Sequence, residues 1–411
     1  MLPVDQVRYV RSVLDILFPY FSLGLCLQLP VTIMRFFLVE QMGLGPASLA
    51  IFTAIVAAPW TVKPIVAFLS DNLVSRFVNR NRQVAVAYAA AGTAWLSLGL
   101  TVDPGLSLVT FFAFLGSLAT SFADVVQDAT MVRTVNRDSQ HAGGRLQSFV
   151  LAARALGALC GSFLSGWFTL LPRPFLLIGL LHLVGVLSAL FLRNSVNGGR
   201  RVHRSTCEAC KTVVKALCSS ERLRFVALLF LLAVPISDFA ILQYFLQVRK
   251  KVPAMIFATS DALAYVATIG ASLSFNAFFR TVDATRLIML TQVVAICFLA
   301  INLLLVNEYL SVDAAGYLLF LKLFGSFFGH IGFMPLAVRA ADLVPDGQEG
   351  TFYSLFMSCL NFGTVVSEGL TGVVSRALAV NDSLGNTSLF YLLVVVMNAV
   401  VLFILHMNPL K

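Results

Sequence analysis

Residues 123–157 read ADVVQDATMVRTVNRDSQHAGGRLQSFVLAARALG. Here Asp124, Asp128 and Arg154 are set into apolar runs long enough to cross a bilayer, with Gly144 and Gly157 beside the joint between them. Adding 206 to Arg133, Gly144, Ser148 and Gly157 gives Arg339, Gly350, Ser354 and Gly363, and that shift is half of the 411 residues. All four matches fall at the same helix–loop–helix joint of each half. A duplicated membrane bundle with charges at corresponding places is a recurrent build of secondary transporters, which hold substrate between the two halves.

Composition excludes a soluble domain. Hydrophobic residues make up 58% of the chain and charged residues 12%, against about a quarter charged in soluble proteins. Twelve apolar runs approach or exceed the ~20 residues that span hydrocarbon: 17–38, 47–69, 84–102, 106–130, 147–170, 174–192, 222–246, 255–279, 285–305, 313–336, 349–374 and 387–407. Without water to satisfy backbone amides these runs have to be helices. Barrel strands would be half as long and would alternate in polarity. The expected architecture is an all-α membrane protein of twelve transmembrane helices in two six-helix pseudo-repeat halves, 1–192 and 222–411, joined by a cytoplasmic linker, 193–221.

Basic residues orient it. With both termini in the cytoplasm, Arg8, Arg11, Arg76, Arg80, Arg82, Arg133, Arg137, Arg145, Arg280, Arg286, Arg339 and the linker face inward. Only Arg173, the Arg249–Lys251 run and Arg376 face outward, as the positive-inside rule prefers. The sequons at Asn381 and Asn386 then lie outside as glycosylation candidates. The net charge of +9 is spread over short loops beside lipid headgroups, so no nucleic-acid partner is expected. Residues 1–16 suit neither a cleaved signal nor a transit peptide. The expected location of this multi-pass protein is the plasma membrane, with an organellar membrane as the alternative. His203, Cys207, Cys210 and Cys218 in the linker lack the second paired half of a convincing zinc site. No metal or cofactor is implied, and a monomer is expected.

Charges inside hydrocarbon cost at least ~2.5 kcal/mol each on insertion scales and need a reason. Asp124 and Asp128, four apart, share a helix face. Span four runs inward and span five outward through a short loop, so Arg154 is expected within reach of one of them. The alternatives are a structural ion pair and a substrate or proton site that exchanges partners. Lys63 before Pro64 suggests a cavity wall or gate, with snorkelling to the headgroups as the alternative. Asp71 reads as an anchor for the following basic loop. Arg133 and Arg339 read as structural or gating residues at the inner helix ends. Lys322, near the middle of span ten, has no acidic residue one turn away, so its charge must be met by another helix (Asp238 or Glu368), by water or by substrate. Asp261 reads as an interfacial cap. Arg35, Lys63, Arg154 and Lys322 with Asp124, Asp128, Asp238, Tyr244 and Glu368 thus form the candidate substrate-binding or coupling set. Cations suit an anionic organic substrate, and titratable carboxylates suit proton coupling. No span carries a paired nucleophile and base, so an enzyme is not expected.

Four segments carry a family resemblance. They are Gly43–Ser48 leading to Ala58–Pro64 and Ser70-Asp71; Ala123–Ala129 with Leu146–Ser148 and Arg154–Gly157; Pro235 and Asp238 with Tyr244-Phe245; and Pro345–Thr351 with Met357-Ser358 and Asn361. In that order they resemble the folate–biopterin transporter family, a branch of the major facilitator superfamily. The chain departs from its pattern at Ala67, at the plainer Arg80-x-Arg82 loop and at Arg133. The resemblance implies the major facilitator fold and transport of folate or biopterin, driven by protons. Other metabolites such as S-adenosylmethionine are the alternative substrates. A membrane receptor or scaffold that kept the fold without transport is the alternative from another class.

Overall fold

The computed structural model describes residues 4–72, 74, 78–135, 140–191, 219–344, 349–380 and 384–408, and the side chains of 4–16, 71–72, 132–135, 140–148, 191, 341, 349–351 and 353 lie outside that description. The side chains of Asp71 and Arg133, together with Asn381 and the linker cysteines, therefore lie outside the described residues.

The first six spans are the helices Val4–Phe36, Pro46–Ala57 continued by Lys63–Asn72, Arg80–Leu100, Leu106–Val135, Gln140–Phe168 and Pro174–Phe191. The second six are Ser220–Ala233 continued by Phe239–Tyr244, Ala254–Ser274, Ala284–Val306, Ala314–Asp342, Glu349–Ala377 and Thr387–Met407. Span one starts well before residue 17. Span seven starts at Ser220, where the Ser219 hydroxyl caps it by accepting from Arg222 N, two residues inside the stretch assigned to the linker. Nine of these helices are long and apolar enough to cross a membrane among the described residues. Of the other three, span six is short in its described apolar part, span seven is interrupted, and span eleven is rich in Ser, Thr and Gly.

Duplication shows in the backbone. Span one ends in a π turn, Phe37–Gln41, and span seven in another, Phe245–Arg249. Each is closed by equivalent hydrogen bonds, Leu44 N to Leu38 O at 2.9 Å and Val252 N to Leu246 O at 3.0 Å. The glycines paired by the 206-residue shift do the same work. A Cβ on Gly157 would strike the Phe21 carbonyl of span one, and a Cβ on Gly363 would meet Ala233 and the Phe230 carbonyl of span seven. Small residues let helix backbones approach closely where lipid supplies no hydrophobic drive.

Two spans are broken. In span two, Ala58–Val62 tightens to a 3₁₀ turn around Pro59. Span seven unwinds between Ala233 and Phe239, at Pro235. Span eleven repairs that break: Ser367 Oγ donates to Pro235 O at 2.6 Å, and Thr371 Oγ1 donates to Ser237 O at 3.0 Å while accepting from Ser237 N at 3.1 Å. Irregular backbone is tolerated at membrane depth only where protein or a cavity satisfies it.

An even number of spans returns both ends of the chain to one side of the bundle. On the far side the halves meet through small residues. A Cβ on Gly166 of span five would lie 2.6 Å from Ala258 Cβ of span eight, and one on Gly372 of span eleven would strike Ile51 of span two. Part of the far-side basic run is neutralised there, with Lys250 Nζ 3.1 Å from Glu308 Oε1.

Candidate functional site

An elongated, mostly apolar chamber of about 360 Å³ lies between the halves, lined among others by Phe52, Trp60, Trp95, Phe239, Tyr244 and Glu368. Along span one it reaches from Cys26 to Leu38, about 18 Å at 1.5 Å per residue. Arg35 and Glu368 are the charged residues of its lining, and a charged cluster lies beyond Trp60 at its other end.

The terminal-side end abuts a cluster within the first half. Asp124, fully buried, accepts from Lys63 Nζ, and Arg154 Nη1 stands 3.0 Å from its other oxygen. Lys63 also lies 4.3 Å from the centre of the Trp60 ring, whose Nε1 donates to Ser117 Oγ at 3.0 Å. Lys63 thus turns inward instead of snorkelling. Asp128 is held separately by the Tyr20 hydroxyl at 2.7 Å. Two cations share one carboxylate, and Arg154 keeps a third of its side chain exposed (32%).

At the far-side end, the Arg35 guanidinium lies between the Phe239 and Phe257 rings, 5.5 and 5.4 Å from their centres. Its Nη1 is buried without a hydrogen-bond partner, as is Oε1 of the buried Gln243. Glu368 lines the same end, and Arg35 feels both it and Asp261 electrostatically. A second, more polar chamber of about 320 Å³ opens beside Arg35, bounded by Gln28, Asp261, Tyr265 and Lys322. The Tyr265 hydroxyl donates across the seam to Gln28 Oε1 at 2.8 Å.

Two expectations are corrected here. Asp261 is not an interfacial cap. It is the partner of Lys322, at 2.6 Å, so that lysine pairs with neither Asp238 nor Glu368. The reason is register: span eight presents Asp261 to span ten at the level of Lys322, which also sits 4.6 Å over the Phe239 ring. Asp238 does not continue a regular helix either. It sits at the break of span seven and accepts from Asn302 Nδ2 at 2.8 Å, while Asn302 Oδ1 accepts from the Tyr317 hydroxyl at 2.5 Å. It faces a third cavity of about 570 Å³ inside the second half.

The remaining residues are placed as follows. Tyr244 is buried in the chamber wall. Beside Asp71, Ser70 Oγ donates to Gln83 Oε1 at 2.7 Å. Arg339 pairs with Glu221 at 2.6 Å, tying span ten to the start of span seven. Asn386 is exposed, in a left-handed conformation (φ 57°), and its amide donates to Leu378 O at 2.9 Å. Sequence reasoning missed Trp60, Trp95, Phe239 and Phe257, which carry no charge to single them out among 35 phenylalanines and 3 tryptophans.

The sequence matches the BT1 family over residues 23–410. It is 27% identical over 388 residues to the folate-biopterin transporter of Synechocystis sp. (strain ATCC 27184 / PCC 6803 / Kazusa), covering 90% of this chain and 76% of that one. It is 22% identical over 382 residues to folate transporter 1 of Plasmodium falciparum (isolate 3D7), covering 91% and 75%. Among solved structures, nucleoside transporter NupG superposes with a TM-score of 0.74 at 12% identity, covering 97% of this chain and all of that one (100%). The D-xylose–proton symporter superposes with a TM-score of 0.65 at 14% identity, covering 98% and 97%. At such identities these likenesses speak for the fold alone.

Proposed function

The chain belongs to the BT1 family, and on that premise we propose that this integral membrane transporter moves a folate or pterin by alternating access. It is a transporter and not an enzyme. The observation that carries the finer reading is the two-ended chamber. Aromatic walls suit a planar ring, and just beyond the terminal-side end, behind Trp60, two cations, Lys63 and Arg154, share one partner, Asp124. That surplus favours the carboxylates of a glutamate tail, and the one-third exposure of Arg154 leaves it able to meet them. The relatives' names point the same way, to folates and biopterin.

Termini in the cytoplasm, closure of the far side through Gly166 and Gly372, and the terminal-side position of the cationic end support an inward-facing state. Proton coupling is the second part of the reading. Asp128 and Asp238 have no cation within ion-pair distance among the described residues, and a carboxylate so placed in a membrane bundle is a natural proton carrier. The test is accumulation by proteoliposomes, with folate, biopterin and S-adenosylmethionine in parallel and external pH varied at clamped potential. Uptake of folate and biopterin, faster at acidic external pH, is expected. Uptake of S-adenosylmethionine alone would overturn the substrate reading, and a flat pH profile would replace symport by exchange or facilitated diffusion.

A further inference from the structure

Arg35 and Glu368 line one end of the chamber without joining in an ion pair. Arg35 is held by the two phenylalanine rings, and its buried Nη1 has no hydrogen-bond partner. A buried charged donor left unmatched is costly, because its desolvation is not recovered. The neighbouring Gln243 Oε1 is an unmatched acceptor of the same kind. The lining of the chamber therefore brings together an unmatched donor, Arg35, and acceptors, Gln243 and Glu368, with the apolar ring of Phe239.

We propose that this end reads the edge of a 2-amino-4-oxopyrimidine ring. That edge presents a carbonyl oxygen, a ring N–H and an amino group in a row: one acceptor followed by two donors. Arg35 donates to the 4-oxo group, and the Glu368 carboxylate accepts from the ring N–H and the 2-amino group together. A carboxylate tail placed here would satisfy Arg35 but would face Glu368, with Asp261 also within electrostatic reach. The ring accordingly enters this end and the tail lies towards Lys63 and Arg154, which sets the substrate's direction in the chamber. This assignment rests on the pterin reading above and adds the residues that make it selective. Guanine carries the same edge, so the assay includes both ring systems.

The test is exchange by proteoliposomes at equal pH on both sides, which requires no net proton movement. Wild-type exchange should be inhibited by biopterin at least about tenfold better than by lumazine, whose 2-oxo group replaces the amino donor. Glu368→Gln should reverse that order, because its amide nitrogen donates to the 2-oxo group, while inhibition by p-aminobenzoylglutamate, the tail alone, should not change. Should Glu368→Gln fail to fold, Arg35→Gln provides the second readout. It should reduce the preference for folate over its 4-amino analogue, since the amide oxygen accepts from a 4-amino group. An unchanged biopterin-to-lumazine ratio in Glu368→Gln, or an unchanged 4-oxo preference in Arg35→Gln, would overturn the assignment. Guanosine inhibiting as well as biopterin would keep the edge but overturn the pteridine as its source. A wild-type protein that exchanges neither folate nor biopterin would sink the underlying substrate reading, an outcome distinct from an unchanged ratio.

Discussion

The two halves carry the same ion pair with its signs exchanged, and that permits a sharp test. Lys63 of span two meets Asp124 of span four, 61 positions on, and Asp261 of span eight meets Lys322 of span ten, again 61 positions on. Exchanging acid and base within the second half, Asp261→Lys with Lys322→Asp, recreates a two-membered pair. Either single change leaves two like charges at a largely buried site, with side-chain exposures of 13% and 17%. Breaking such a pair costs about 3–5 kcal/mol, and the double exchange should recover much of it, less the repulsion between an ammonium at position 261 and Arg35, which feels Asp261 electrostatically. The first half differs because Arg154 stands 3.0 Å from Asp124. Lys63→Asp with Asp124→Lys would set an ammonium against that guanidinium, about 5 kcal/mol of repulsion at an effective dielectric of about 20. With Arg154 one-third exposed, screening brings the working figure to about 2–3 kcal/mol. The assay is the melting midpoint of purified protein in detergent, followed by intrinsic fluorescence. The second-half exchange should melt below wild type but above the first-half exchange, where Arg154 stands in direct contact. Equal melting of the two would show that Arg154 exerts no field at position 124, and the three-membered cluster would be wrong.

Three further outcomes are expected. Arg154→Ala should abolish uptake while leaving protein in the membrane, as read by surface labelling, and wild-type uptake would make the residue structural. Lys322→Gln should impair folate and uncharged biopterin equally, with part of the loss restored by adding Asp261→Asn; a selective loss for folate would make Lys322 an anion site. Gly157→Val should lower folded yield, since its side chain meets the Phe21 carbonyl, by about 1–3 kcal/mol or more of overpacking, whereas Gly369→Ala, with nothing within 4 Å, should be silent in the same melting assay.

Much of the fold was legible because lipid leaves the backbone few choices. Long apolar runs had to be helices, and the shifted glycines Gly157 and Gly363 marked the joints of a duplication. The meeting of Arg154 with Asp124 was also legible, since a short loop makes spans four and five neighbours at matched depth. The partners of Lys63 and Lys322 were not. They lie on helices 61 residues away, and spans apolar on nearly every face give no periodic signal of which side turns inward. Asp261 was misread for that reason, because nearness to a helix end resembled a cap when rotation was unknown. The breaks at Pro59 and Pro235 were not read from the sequence, which gave spans two and seven as continuous helices, and that Ser367 and Thr371 repair the second break depends on how span eleven lies against it.

The distribution of bond strengths explains how such a bundle can move. The ion pairs Lys63–Asp124, Arg154–Asp124, Lys322–Asp261, Lys250–Glu308 and Arg339–Glu221 all lie within one half or the other. Contacts across the seam are of another kind: Tyr265 to Gln28 at 2.8 Å, Asn361 to Trp60 O at 3.1 Å, Gln247 to Glu40 at 3.3 Å and Arg376 to Ser48 at 3.4 Å. Single hydrogen bonds of this sort contribute about 1 kcal/mol each, somewhat more where one partner is charged. Breaking an internal buried pair would cost about 3–5 kcal/mol. Each half is therefore held together more firmly than it is held to the other, and the cheapest large motion is a rocking of one rigid half against its mate. Chamber residues from both halves, Arg35 on one side and Glu368 on the other, would separate or close in that motion. A substrate that bonds to both then opposes separation at that end, so its own binding selects which side of the bundle opens.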